Sequence, residues 1–318
     1  MSSAGGESTR TVLIAFGANF LVAIAKSIAA VISGSASMVA ESAHSWADTG
    51  NQIFLWVANR RSSRPADRIR PLGYGREAYV WSLLAAVGLF VMGAAVSIWH
   101  GVSTLIHEPT GPEDYLVAYI VLGIAFLLEG FSWLQAVRQL RGEAREFDRD
   151  LLEYALATSD PTTRAVFAED SAALIGLVIA LGGVGLHQLT GVAAWDAVGS
   201  ILVGILLGAV AIILIDRNRR FLTGESGSSA LHDAAVTKLL ELPDVQAVRF
   251  LRLEFIGPKQ IFLVASVDLV GDDVESHVAH RLRAAEREIE RNPYIFDALL
   301  TIADPDSEDP STSRAAPV

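Results

Sequence analysis

Apolar residues gather into six long blocks, at 12–32, 37–58, 79–98, 115–133, 165–186 and 192–215, with shorter polar connections between them. A helix needs roughly 20 such residues to cross about 30 Å of hydrocarbon, so each block predicts one transmembrane helix. Six crossings return the chain to the side on which it started. Arg60, Arg61, Arg64, Arg68, Arg70 and Arg76 lie between the second and third blocks, and Arg138, Arg141, Arg145, Arg149 and Arg164 between the fourth and fifth. Arg217, Arg219 and Arg220 follow the sixth, whereas the connections after the first, third and fifth contain no Lys or Arg. Basic residues collect in cytoplasmic loops, which predicts cytoplasmic N- and C-termini. The expected location is the cell (plasma) membrane. No cleavable signal is read in the polar start MSSAGGESTR and the unbroken apolar run behind it.

Beyond residue 225 the period shortens. Residues 233–242 read as a helix and 246–255 and 260–270 as strands joined by a turn at Gly257-Pro258. A helix opening near Asp272 runs to 291, and 295–302 is a third strand. The order αββαβ predicts a cytoplasmic α/β domain of ferredoxin-like type. The expected division is an N-terminal segment 1–10, a six-helix all-α membrane bundle 11–222, the α/β domain 223–304 and a disordered Pro-, Ser- and acid-rich tail 305–318.

Composition agrees with the blocks: 51% hydrophobic residues, 19% charged and a mean hydropathy of +0.38 are too apolar for an ordinary soluble domain of this length. The absence of cysteine leaves only nitrogen and oxygen ligands for any metal. A net charge of −11 argues against nucleic acid as a partner. No organic cofactor is expected.

Ionisable groups at bilayer depth cost about 2.5–3.5 kcal/mol each on insertion scales, so each requires a reason. Glu41, His44, Asp48 and Asn51 follow one another at spacings of three, four and three, which puts all four on one helical face. His44 and Asp48, four apart, can chelate one ion from that face. On the fifth block Glu169 and Asp170 are adjacent; neighbours diverge by about 100°, and Asp170 is the first choice to face the second helix, Glu169 the second. Glu129 sits deep in the fourth block as a candidate proton carrier or coupling residue. Asn19 and Lys26 lie in the first, Lys26 near enough to its end to snorkel, and Asp196 opens the sixth as a helix cap.

The segments SGSASMVAESAHSWADTGNQ, PLGYGREAYVWSLLAA and WDAVGSILVGILLGAVAIIL resemble signatures of the cation diffusion facilitator family, and the resemblance covers nearly the whole chain. It implies a homodimeric secondary transporter, not an enzyme, that exports Zn²⁺ across the lipid bilayer in exchange for protons. Other branches carry Mn²⁺, Fe²⁺, Co²⁺ or Cd²⁺. It also implies a four-ligand site from two positions on the second helix, His44 and Asp48, and two on the fifth. There Asp170 matches, while the position four residues earlier is Val166, which cannot bind metal; Glu169 is the candidate replacement. Glu41, Asn51, Asn19 and Glu129 are candidates for coupling or for supporting the ligands. By the same resemblance Arg76 and Glu225 form an ion pair that braces the dimer. His277 and Asp304 fall where relatives bind regulatory zinc, but Arg249, Ser266 and Ile302 occupy the strand positions, so a complete set is not expected. The segment between the fourth and fifth helices reads as an amphipathic surface helix. Carboxylates and neutral imidazole bind metal only when deprotonated, so protons and metal compete for one site, which is itself a coupling mechanism. The alternative is an intramembrane metal-dependent hydrolase, against which stands the absence of an HExxH motif.

Overall fold

A computed structural model describes residues 4–107, 114–146 and 150–304; the expected tail 305–318 lies outside them. The helices are α1 (Ala4–Ser33), α2 (Ala36–Ser62), α3 (Glu77–Gly88), which continues through a π-helical segment Leu89–Ala95 into α4 (Val96–Ile106), α5 (Tyr115–Glu146), α6 (Leu151–Ala157), α7 (Pro161–Thr190) and α8 (Ala194–Leu222). A second group consists of α9 (Ser229–Leu240), β1 (Val245–Gly257), β2 (Gln260–Leu269), α10 (Glu275–Ile289) and β3 (Ile295–Ile302). The chain divides into two compact units, Met1–Ser63 with Glu77–Arg219, and Arg64–Arg76 with Arg220–Val318.

In the first unit, five helical stretches among the described residues are long and apolar enough to cross a membrane: Phe16–Ser33, Glu77–Ile106, Tyr115–Arg145, Pro161–Thr190 and Ala194–Leu222. α2 is as long as these, but its acids, His44, Asn51, Arg60 and Arg61 lower its hydropathy below theirs. Its surroundings account for this. α2 packs against α1, α3, the π-helical segment, α4 and α7, so its polar face is enclosed by protein. The outer helices carry the lipid-type surface, with Val31, Trp99, Leu127 and Leu189 strongly exposed. The π-helical segment packs against α8: a Cβ on Gly93 would approach Leu207 Cδ1 to 3.1 Å.

Several helices run beyond their apolar blocks: α1 starts at Ala4, α4 ends at Ile106 and α8 at Leu222. α5 does not stop near Trp133 but continues to Glu146, so the first part of the expected surface helix is an extension of α5, and only α6 is separate. Arg164, counted as a loop charge, is 1% exposed; it donates to Thr158 O at 3.0 Å and Asn218 Oδ1 at 2.9 Å, and Asn218 donates to Ser82 Oγ at 3.1 Å.

In the second unit β1 and β2 are antiparallel and β2 and β3 parallel, in the sheet order β1-β2-β3. Alternate residues of β2, including Leu263, Ala265 and Val267, enter a core with Leu239, Val248, Leu253 and Leu300. α9 starts at Ser229 rather than near 233, because Ser228 Oγ accepts from Leu231 N at 3.3 Å and caps it. α10 starts at Glu275 rather than at Asp272.

The connector Arg64–Arg76 is built into this unit, which nothing in its composition announces. Asp67 accepts from the amides of Ile69 and Arg70 at 2.9 and 2.8 Å and from Tyr74 Oη at 2.8 Å, and Arg70 stacks over the Tyr74 ring. A Cβ on Gly75 would lie 2.5 Å from Ile256 O and 2.7 Å from Gly257 Cα, so two glycines let the backbones touch. Arg76 donates to Glu254 of β1. Within its own chain Arg76 is engaged by Glu254 rather than by Glu225, whose backbone carbonyl accepts from Phe255 N.

Candidate cation-binding seam

The seam is positioned from the N-terminus of α2. Gly34 breaks α1 from α2 at φ +67°, and Ser35 Oγ caps Met38 N at 3.1 Å. The next free amides are taken by a residue far away in the chain. Asp196, 2% exposed, accepts from Ser35 Oγ at 3.0 Å, from Ser37 N at 3.1 Å and from Ala36 N. The predicted cap is therefore real in chemistry but acts on α2 rather than on α8, where it sits. An anion at a helix N-terminus satisfies orphan donors and opposes the helix dipole. Ser37 Oγ also donates to Asp196 O at 2.9 Å, in a space cleared by Gly183 and Gly199.

With α2 so held, Glu41, His44 and Asn51 are buried and Asp48 nearly so. His44 Nδ1 lies 3.5 Å from Asp48 Oδ1, one turn on. Lys26 does not snorkel: it is 0% exposed, and its Nζ donates to Glu41 Oε2 at 3.0 Å and Glu129 Oε1 at 2.9 Å, tying α1 to α2 and α5. An ammonium buried this deeply depends on both carboxylates, because removing either would leave its charge less compensated. Asn19 is half-buried on α1.

α7 supplies the facing acids. Glu169, 8% exposed, accepts from Asn51 Nδ2 of α2. Asp170 points to the other side, where its Oδ2 accepts from Ser132 Oγ of α5 at 2.9 Å. Both lie within electrostatic range of Asp48. The structure thus brings the more buried acid, Glu169, against α2 directly and Asp170 against α5. In this conformation no three His, Asp or Glu side chains among the described residues converge as a metal would require. The seam nevertheless holds buried atoms without a hydrogen-bond partner: Glu41 Oε1, both His44 nitrogens, Asp48 Oδ1, Asn51 Oδ1 and Glu129 Oε2. Buried polar atoms are normally satisfied, and unsatisfied carboxylate and amide oxygens beside an imidazole with one acceptor nitrogen are complementary to a cation. In the second unit, His277 lies 3.7 Å from Asp273 and is largely exposed.

Ser132 and the Lys26 junction were not recognisable as parts of the seam by spacing, since both come from helices whose facing depends on packing. The sole sequence signal was the cost of an unpaired Lys26 and an unpaired Glu129 inside two different spans.

Residues 12–222 match the model of the cation efflux transmembrane domain. The chain is 37% identical over 82% of its length to the mitochondrial proton-coupled zinc antiporter SLC30A9 of Xenopus laevis, covering 47% of that protein. It is 36% identical to the human SLC30A9 over 82% of this chain and 46% of that one. It is 37% identical to metal tolerance protein C4 of Arabidopsis thaliana over 86% of this chain and 60% of that one. The chain spans about half the length of the SLC30A9 relatives it matches. These relatives overturn the expected plasma-membrane location, since SLC30A9 is mitochondrial by name; apolar blocks and Arg-rich loops report crossings and their direction, not which membrane is crossed. Members of the matched family transport cations rather than catalyse reactions, and both its signature segments and its membrane domain are present here: the chain belongs to the cation efflux family, the cation diffusion facilitators.

Proposed function

We propose that this chain is a proton-coupled zinc antiporter that works by alternating access as a homodimer, with α2 as a sixth membrane span enclosed by the other five. The observation that carries the reading is the line of buried, unpartnered atoms on α2, from Glu41 Oε1 through the two His44 nitrogens to Asp48 Oδ1 and Asn51 Oδ1, opposite the acids of α7. A divalent cation supplies the missing partner, and protons supply it when the cation has left.

His44, Asp48, Asp170 and Glu169 are the proposed ligands. In the structure Glu169 is held by Asn51 and Asp170 by Ser132. Loading then consists of exchanging two hydrogen bonds for two metal bonds, which brings both acids of α7 to the His44–Asp48 pair. One imidazole among carboxylates accepts Zn²⁺ and keeps no soft ligand to reject Mn²⁺, Fe²⁺, Co²⁺ or Cd²⁺. The names of the SLC30A9 relatives support zinc and proton coupling.

The test is uptake of Zn²⁺, Mn²⁺, Fe²⁺, Co²⁺ and Cd²⁺ into liposomes containing the purified chain, with and without an imposed pH gradient. The reading requires gradient-driven uptake led by Zn²⁺. Uptake led by Mn²⁺ would leave the transporter and replace the metal; uptake indifferent to the gradient would reject antiport.

A further inference from the structure

The Lys26 junction is not symmetrical. Its ammonium is shared between Glu41 and Glu129, yet Glu41 is wholly enclosed while Glu129 keeps 20% of its side chain exposed. Glu41 is also held against α7: a Cβ on Gly176 would lie 2.8 Å from Glu41 Oε1, so this carboxylate occupies space that the glycine leaves. Glu129 Oε2 has no partner, and Glu129 is an electrostatic neighbour of His44 and Asp48 on α2 and of Asp170 on α7. Glu41 is the fixed member of the junction, and Glu129 the one with somewhere to go.

We propose that Lys26 is a tethered competitor of the transported cation, holding Glu129 in the empty carrier and yielding it when a divalent ion enters the seam. The inference rests on the reading of the seam as a divalent-cation site. Glu41 keeps the ammonium charged and in place throughout, so the exchange moves only the Glu129 carboxylate. A buried carboxylate left alone is costly; with Lys26 beside it, Glu129 needs neither metal nor proton to cross in the empty carrier. The ion must displace the lysine, which lowers its affinity and eases its release on the far side. A purely structural lock of α1, α2 and α5 makes the opposite prediction, because loosening it disorders the seam and weakens binding.

The experiment is calorimetric titration of Zn²⁺ into the purified full chain at fixed pH. Lys26→Met removes the competitor. The double variant Lys26→Met with Glu41→Gln also removes the carboxylate that the first change would strand, and serves if the single variant does not fold. Lys26→Met is expected to bind Zn²⁺ at least about tenfold tighter than the unchanged protein, the scale of one unit charge acting on an ion about 10 Å away at an effective dielectric of about 20; the double variant, which loses one charge of each sign, is expected to bind it tighter by a smaller factor, through the freed Glu129 alone. Adding Glu129→Gln to either is expected to cancel the gain. Affinity equal to or below that of the unchanged protein, or a gain that survives Glu129→Gln, overturns the proposal. Failure of the unchanged protein to bind Zn²⁺ or any other divalent ion would instead reject the seam reading itself, and this inference with it.

Discussion

Asp196→Asn tests how α2, and with it the cation seam, is held in place. The carboxylate serves three donors at once, with Oδ1 on Ser35 Oγ and Ser37 N and Oδ2 on Ala36 N. An amide of the same shape keeps one acceptor oxygen and turns an NH₂ towards the remaining donor, so at least one buried N–H is stranded. That costs about 1–3 kcal/mol. Losing the anion at the N-terminus of α2 adds roughly 0.3–2 kcal/mol, towards the upper end because Asp196 is 2% exposed. The sum is about 1–5 kcal/mol, equivalent to a fall of about 3–20 °C in Tm for a unit of this size. The assay is thermal unfolding in detergent at one fixed scan rate, which keeps irreversible unfolding comparable between variants. Ser35→Ala is the control: it removes one cap oxygen and is expected to cost about 0.5–2 kcal/mol. A Tm for Asp196→Asn within about 1 °C of the unchanged protein would refute the argument that this carboxylate anchors α2.

Gly75→Ala places a Cβ against the backbone atoms Ile256 O and Gly257 Cα, neither of which can rotate away; the connector is expected to lift off the β1–β2 turn at a cost of about 1–3 kcal/mol, seen as faster amide exchange over 64–76. The amides of Arg70 and Ile69 and the Tyr74 hydroxyl hold Asp67's carboxyl below the usual aspartate range. The stabilisation it gives the connector is therefore present at neutral pH and lost as pH falls through that lowered value. Exchange of the Ile69 and Arg70 amides, corrected for intrinsic rate, should step up in acid, and Asp67→Asn should abolish the step by making exchange fast throughout. Glu169→Gln, which removes a charge with little change of shape, is expected to weaken Zn²⁺ binding at least tenfold by calorimetry, and Glu169→Asp to fail through lost reach; normal binding in Glu169→Gln would exclude it from the site.

Five of the spans and the polar face of α2 were legible because each rests on a repeating pattern: long apolar runs, and acids, His44 and Asn51 at helical spacing. The αββαβ order of the second unit was legible for the same reason, through alternation in β2 and amphipathicity in α10. What the pattern does not carry is which faces of different helices meet. Lys26 reads alone as a snorkelling side chain and becomes a buried junction only once α2 and α5 are packed beside α1. Asp196 reads as the cap of its own helix because capping is a local signal, whereas its partners lie some 160 residues away. The pairing of Arg76 with Glu254 depends on a strand register and on two glycines in contact, neither of which leaves a mark in spacing.

The central claim is that one seam between α2 and α7 exchanges zinc for protons. Its most direct test is the simultaneous recording of zinc entry and proton exit in liposomes containing the full chain, for the unchanged protein and for folded Asp48→Asn and Asp170→Asn. The account predicts that the two fluxes are locked together in the unchanged protein and that each substitution abolishes both. Zinc flux at the unchanged rate in either variant, or zinc entry with no accompanying proton exit, would contradict it.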